Sequence, residues 1–231
     1  MVAAAFLVLG LAGGASAATS VGGAAAPAGV HPAVASASSN AAGYYVTPTY
    51  GFASASATFV VPKVTCSTSS TYQYFGLFDD NPANGPGSYT LASIEAVCSS
   101  GSLTDTYFAW INGTEQNPTG IKAGDTIVVS LFQTASNEVA IVNDITTNIS
   151  YSALNNPLPD TGMMVGVDSS IPTAQFSKVS FTQVQVNGQY LNALSSTSTQ
   201  YNLLDGAKTL IKTSAVASPG DTFTLTFKHA S

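Results

Sequence analysis

Arginine is absent from this chain of 231 residues, and six lysines stand against twelve carboxylates, for a formal net charge of −6. A chain so poor in cations has no basic surface with which to neutralise phosphates, which excludes nucleic acid as a partner. Charged residues of both signs make up only 8% of the sequence. Few groups therefore exist whose protonation could unfold the protein, and an acid-tolerant, extracellular working environment is expected. Histidine is nearly missing too: His31 sits in a low-complexity stretch and His229 close to the C-terminus, so neither a Ser/His/Asp triad nor a histidine metal site is expected. Nothing in the sequence asks for a metal or any other cofactor. Also lacking is an apolar run long enough to cross a bilayer. The run from Ala3 to Ala12 falls short of the roughly 20 residues a spanning helix needs. It is followed by the small-residue site Ala15-Ser-Ala17, so residues 1–17 read as a signal peptide, although the apolar run lacks the usual Lys or Arg ahead of it. The mature chain is expected to be secreted, without a membrane span, and monomeric.

What is present divides into two parts. Residues 18–42 are mostly Ala, Gly, Ser, Pro and Val, with a lone His31, a composition that cannot bury enough apolar area to offset the entropy of ordering, and they read as a linker or propeptide. From residue 43 to 231 the pattern changes to short runs rich in Val, Thr, Phe, Tyr and Ile, separated by Gly, Pro, Asn and Asp turns. That pattern predicts an all-β domain, a two-sheet antiparallel β-sandwich. Strands are expected over residues 54–62, 126–133, 138–141, 162–167, 179–186 and 223–228, the last with strict alternation of apolar and polar residues. The stretch 203–211 reads equally as a helical turn or as strand and loop, because Gly206 interrupts it. No long amphipathic helix competes. Cys66 and Cys98 are the two cysteines, and in a secreted chain a disulfide between them is the default assignment. The oxygen-rich loop Asp79-Asp-Asn-Pro-Ala-Asn-Gly85 does not keep the EF-hand spacing and reads as a solvated turn. Asn112-Gly-Thr114 and Asn148-Ile-Ser150 match the N-glycosylation pattern.

Several of these pieces occur in one order. Ser38-Ser-Asn-Ala-Ala-Gly-Tyr44 is followed by Ala57-Thr-Phe-Val-Val-Pro62, then Phe75-Gly-Leu77, Glu95-Ala-Val-Cys98, Tyr107-Phe-Ala-Trp110, Ala123-Gly-Asp-Thr126 and Pro172-Thr-Ala-Gln-Phe-Ser-Lys-Val179. The series resembles the glutamic peptidases, also called eqolisins or the A4/G1 family, in their secreted bacterial branch. The resemblance runs from about Ser38 to the C-terminus. It implies a concanavalin-like β-sandwich with a concave face forming a substrate cleft, in which a Gln and a Glu face each other. The carboxyl group handles the proton of an attacking water while the amide orients that water and polarises the carbonyl.

This chain departs from that chemistry. Counting back from the matched Glu-Ala-x-Cys segment, Leu91 stands where the resemblance implies Gln. On the later strand Met163 and Val167 stand at positions where it implies Glu. The family's Trp ahead of Gly-x-Asp-Gly is matched by Phe75, and Trp-Tyr-Glu by Trp110-Ile-Asn112. No confident catalytic residue remains. The fallback candidates are Glu95 and Asp168, which would make a carboxylate pair only if the strand registers slipped. The cleft candidates are Glu95, Trp110 and Asn112, with Trp110 read first as a packing residue. The reading is a secreted, catalytically degenerate glutamic peptidase-like protein whose cleft binds a peptide or a carbohydrate. The alternatives are an acid endopeptidase with a rearranged carboxylate pair and a structural cell-surface or matrix protein.

Overall fold

The structure is a computed structural model that describes residues 36–66, 71–78, 90–99, 102–111, 114–116, 120–155, 162–169 and 171–229. In chain order the strands are β1 (Ser36–Ser38), β2 (Ala41–Val46), β3 (Ser54–Val60), β4 (Val64–Thr65), β5 (Thr71–Phe78) and β6 (Thr90–Ser99). There follow β7 (Ser102–Ile111), β8 (Thr114–Gln116), β9 (Thr126–Gln133), β10 (Glu138–Asp144), β11 (Ile149–Asn155) and β12 (Met163–Ser169). The chain continues through β13 (Gln175–Phe176), β14 (Val179–Val186), β15 (Gln189–Tyr190), a 3₁₀ turn at Leu191–Leu194, β16 (Ser198–Asp205), β17 (Lys208–Thr213) and β18 (Phe223–Phe227). Among the described residues no helix is long and apolar enough to cross a membrane.

One sheet runs β11-β10-β9-β3-β14-β18-β17-β16-β2-β12-β5-β6-β7-β8, antiparallel throughout, with β1 added in parallel beside β16. It doubles over on itself at β18, β17 and β16. The result is two layers, in which β9, β10 and β11 pack across β6 and β7, and β3 across β5. Alternation explains the core: Ala57 and Phe59 of β3, Val129 and Leu131 of β9, Phe75 and Leu77 of β5, and Ile94 and Ala96 of β6 all point between the layers. Where the sheet doubles over, a run of rings ties the layers together. Phe59 meets Phe181 at 5.1 Å, Phe181 stacks on Phe223 at 5.2 Å, and Phe223 meets Tyr44 edge-on at 5.0 Å. Such contacts each contribute about 1 kcal/mol beyond the area they bury.

The disulfide between Cys66 and Cys98 is formed, with 5.4 Å between the Cα atoms. It fastens the segment after β4 to the core-facing side of β6. Buried polar groups lock the remaining loops. The Gln73 amide donates to Thr173 Oγ1 at 2.6 Å and to the Ala174 carbonyl at 2.8 Å, and the Tyr107 hydroxyl donates to the Pro62 carbonyl at 2.7 Å. Asp144 accepts from the amides of Thr146 and Thr147 and closes the turn into β11, so this carboxylate is spent on structure.

The sequence pattern places β9 and β14 where they stand. It ends β10 and β12 short, because Asn143, Asp144, Asp168 and Ser169 break the apolar runs that mark strands, although pairing continues through them. Gly206 is the turn of the β16–β17 hairpin, which settles 203–211 as strand and loop. The expected linker boundary at residue 42 falls inside β2, and ordered pairing starts earlier, at Ser36. Ala41, Ala42 and Gly43 read as low complexity, yet β2 is buried on both faces and small residues are what fit there. Residues 18–35 lie outside the described residues.

Candidate functional site

The layer formed by β16, β2, β12, β5, β6 and β7 has a second face, turned away from the core. Its residues follow from the alternation. Tyr45, Gly43 and Ala41 lie on β2, Met164, Gly166 and Asp168 on β12, Tyr74, Gly76 and Phe78 on β5, Ser93 and Glu95 on β6, and Phe108 and Trp110 on β7. Ala41, Tyr45, Phe78, Met164 and Tyr201 are buried there as a second, smaller apolar cluster, with Tyr74 packed against it. The middle of this face is written in glycine. Gly43, Gly166 and Gly76 are direct register partners across three adjacent strands. A Cβ on Gly166 would run into the Ala42 carbonyl, and one on Gly43 into the Val165 carbonyl while standing 2.8 Å from the Gly166 Cα. Only a residue without a side chain permits this approach.

Beside the glycine row lies a polar one. Asp168, Tyr74, Glu95 and Phe108 are consecutive register partners on β12, β5, β6 and β7, so their side chains share this face. Glu95 is 4% exposed, while Asp168, Tyr74, Phe108 and Trp110 are half-buried and Tyr72, two residues along β5, is exposed. The Tyr74 phenol donates to the Glu95 carboxylate. Burial first, and then the Glu95 and Asp168 carboxylates on either side, push the Tyr74 phenol far above its ordinary range and keep it neutral. The Trp110 ring lies 5.8 Å from that of Tyr74, tilted by 56°. The accessible end of the face is thus an aromatic rim over two carboxylates, able to grip apolar or aromatic side chains and to accept hydrogen bonds from a ligand's amide groups.

Set against the expectations from sequence, the structure brings Glu95 and Asp168 onto one face, separated by Tyr74, without any irregularity in β12. Val167 turns the other way, into the sandwich core with Met163 and Val165. The Leu91 side chain, Asn112 and the 79–85 loop lie outside the described residues. Trp110 is not a core residue: its neighbours Ala109 and Ile111 point between the layers and it does not. Phe75 is fully buried edge-on to Phe176, so the aromatic facing the cleft from β5 is Tyr74. The sequence reading missed Tyr72 and Tyr74. The signal that could have found them is the alternation in Tyr72-Gln-Tyr74-Phe-Gly-Leu77, where Phe75 and Leu77 claim the core face. Among the described residues no three metal-ligating side chains converge.

The model of the peptidase A4 family matches residues 39–227. No curated protein sequence matches the chain. Among solved structures, scytalido-glutamic peptidase with a transition state analog inhibitor superposes with a TM-score of 0.59 at 19% identity, over 82% of this chain and 98% of that one. SCP-B, a member of the eqolisin family of peptidases in complex with the tripeptide Ala-Ile-His, superposes with a TM-score of 0.58 at 17% identity over the same shares. At these identities the likeness shows a shared fold.

Proposed function

The chain belongs to the peptidase A4 family, and from that premise we propose that it is a secreted, catalytically degenerate member whose cleft face holds an extended peptide without cleaving it. The observation that carries this reading is Tyr74. It stands between Glu95 and Asp168, with its proton committed to Glu95. The two carboxylates sit two strands apart, about 10 Å between backbones, with a phenol ring in the intervening position. Carboxylates that share a proton or clamp a water between them need to be within hydrogen-bond reach of each other or of that water. The aromatic rim of Tyr72, Tyr74, Phe108 and Trp110 supports a peptide as the occupant, and a solved member of the fold carries a tripeptide.

A second reading, the acid endopeptidase, is favoured by one observation: both carboxylates do share the face. Incubating the secreted protein with denatured protein substrate from about pH 2 to pH 7, spanning carboxylate titration, separates the two readings. We expect no cleavage, together with saturable binding of extended peptides that weakens about tenfold in Trp110→Ala. Acid cleavage that vanishes in Glu95→Gln or Asp168→Asn overturns the proposal in favour of the peptidase. A folded protein that neither cleaves nor binds any peptide leaves the structural matrix role. The N-terminal sequence of the secreted protein tests the export of the chain; a retained residue 1 counts against it.

A further inference from the structure

On the opposite side of the molecule the outward face of β9, β3 and β14 carries a groove that the family chemistry does not touch. Its floor is β3, whose outward residues Ser54, Ser56 and Thr58 are small. Its walls are taller: Phe132 and Thr126 from β9 on one side, Gln185 from β14 and Lys178 just ahead of that strand on the other. Two depressions of about 430 and 220 Å³ lie end to end along it. The strand that forms the floor is roughly 20 Å long at the rise of an extended chain. The two depressions are divided at an identifiable place. Between Thr182 and Gln185 the register of β14 on β3 shifts, and Gln183 adopts a φ of +51°, a left-handed conformation that a non-glycine residue takes up only at a cost of about 1 kcal/mol. The bulge swings the Gln183 side chain over the floor, where its Oε1 accepts from Thr58 Oγ1 at 3.1 Å.

The chemistry of the lining is unusual for a surface. Lys178 at one end is the only ionisable residue among those that form the groove. Ser54, Ser56 and Ser130 and the Gln185 amide are half-exposed, and their side chains make no hydrogen bond to other described residues. A hydroxyl both donates and accepts, as does a carboxamide, so these groups match a ligand that itself bears many hydroxyls and no charge. At the two ends Phe132, 37% exposed, and Val60, 50% exposed, offer apolar patches for the C–H face of a ring. An extended peptide is a poor fit, because its backbone groups would meet the face of a sheet whose own backbone groups are already paired to β9 and β14.

We propose that this groove is a binding site for an unbranched neutral oligosaccharide, running along β3 and independent of the cleft on the other layer. It stands on a different face from the peptide-binding reading and does not rest on it.

The test is calorimetric titration of the secreted protein with neutral linear hexaoses of glucose, xylose and N-acetylglucosamine, with a polyuronate for comparison. Ser56→Arg plants a long charged side chain on the floor, Ser130→Arg does so on the neighbouring strand, and Asp168→Asn serves as a cleft control. At least one neutral hexaose should bind saturably, with affinity lost about tenfold or more in both arginine variants and unchanged in Asp168→Asn. Amide resonances of β3 and β9 should shift on titration, which keeps the test decisive if an arginine variant fails to fold. Saturable binding to none of the neutral sugars, binding to the polyuronate alone, or binding lost only in Asp168→Asn each overturns the proposal, the last by putting the sugar in the cleft.

Discussion

Across β16, β2, β12, β5, β6 and β7 the face turned from the core carries glycine, aromatic and acidic residues and is largely buried, whereas across β9, β3 and β14 the corresponding face carries serine, threonine and glutamine and stays half-exposed. The two are built from the same kind of strand, and both back onto the same core. The difference lies in where each gets its shape. The cleft face is fixed by backbone contacts that forbid side chains at Gly43 and Gly166, so its form is intolerant of substitution. The outer groove is a difference in side-chain height plus one bulge, and its form can be changed without touching the fold.

The largest effect should come from attacking the glycine row. Gly166→Ala drives a Cβ into the Ala42 carbonyl and should cost about 3 kcal/mol or more in denaturant unfolding, with loss of any cleft ligand. A cost no larger than that of a surface substitution would remove the backbone account of the cleft. Next comes the cross-link that holds β6: reduction of Cys66–Cys98, 32 residues apart, should lower stability by about 3 to 4 kcal/mol on the chain-entropy model, read as a fall in Tm.

Tyr74→Phe is smaller, about 1 to 2 kcal/mol, because it takes a donor from a buried carboxylate. It should also change the alkaline limb of the stability profile. The Tyr74 phenol is raised from an ordinary value of 10.0, and Tyr44, buried where its hydroxyl lies 3.0 Å from the Ser214 carbonyl, is pushed up to about 12. Groups raised in the folded state contribute fully below pH 10 and lose that contribution above it, since the unfolded phenols ionise first. Stability should therefore fall above pH 10, and less steeply in Tyr74→Phe. An unchanged slope would mean that burial and the neighbouring carboxylates do not raise the Tyr74 phenol in the folded protein. The smallest effect is expected on the other face: Ser56→Ala should stay within about 0.5 kcal/mol of the parent, and a larger loss would show that the groove is structural after all.

The same contrast governs how far the sequence could be read. Strands buried on one face announce themselves by period-two alternation, which is why β3, β9, β14 and β18 are legible. β2 is not, because a strand covered on both sides by close neighbours is written in Ala, Gly and Tyr rather than in an alternating pattern. The cleft was legible only through the family likeness, and that likeness directs attention to Val167, which faces the core. The residues that hold the site together, Tyr74 and Asp168, depend on which face of β5 and β12 looks outward, a choice made by tertiary packing. The outer groove had no sequence signal, since serine and threonine on exposed strand positions are ordinary until a bulge gathers them.

Because the closest atoms to a side chain at Gly43 or Gly166 would be main-chain atoms, that part of the face does not depend on which side chains stand around it. Exchanging Tyr74, Glu95 or Asp168 would alter what the face can hold while leaving the main chain beneath it in place. Shape and chemistry are thus separable here: the glycine row sets the one, and the side chains of the neighbouring row set the other.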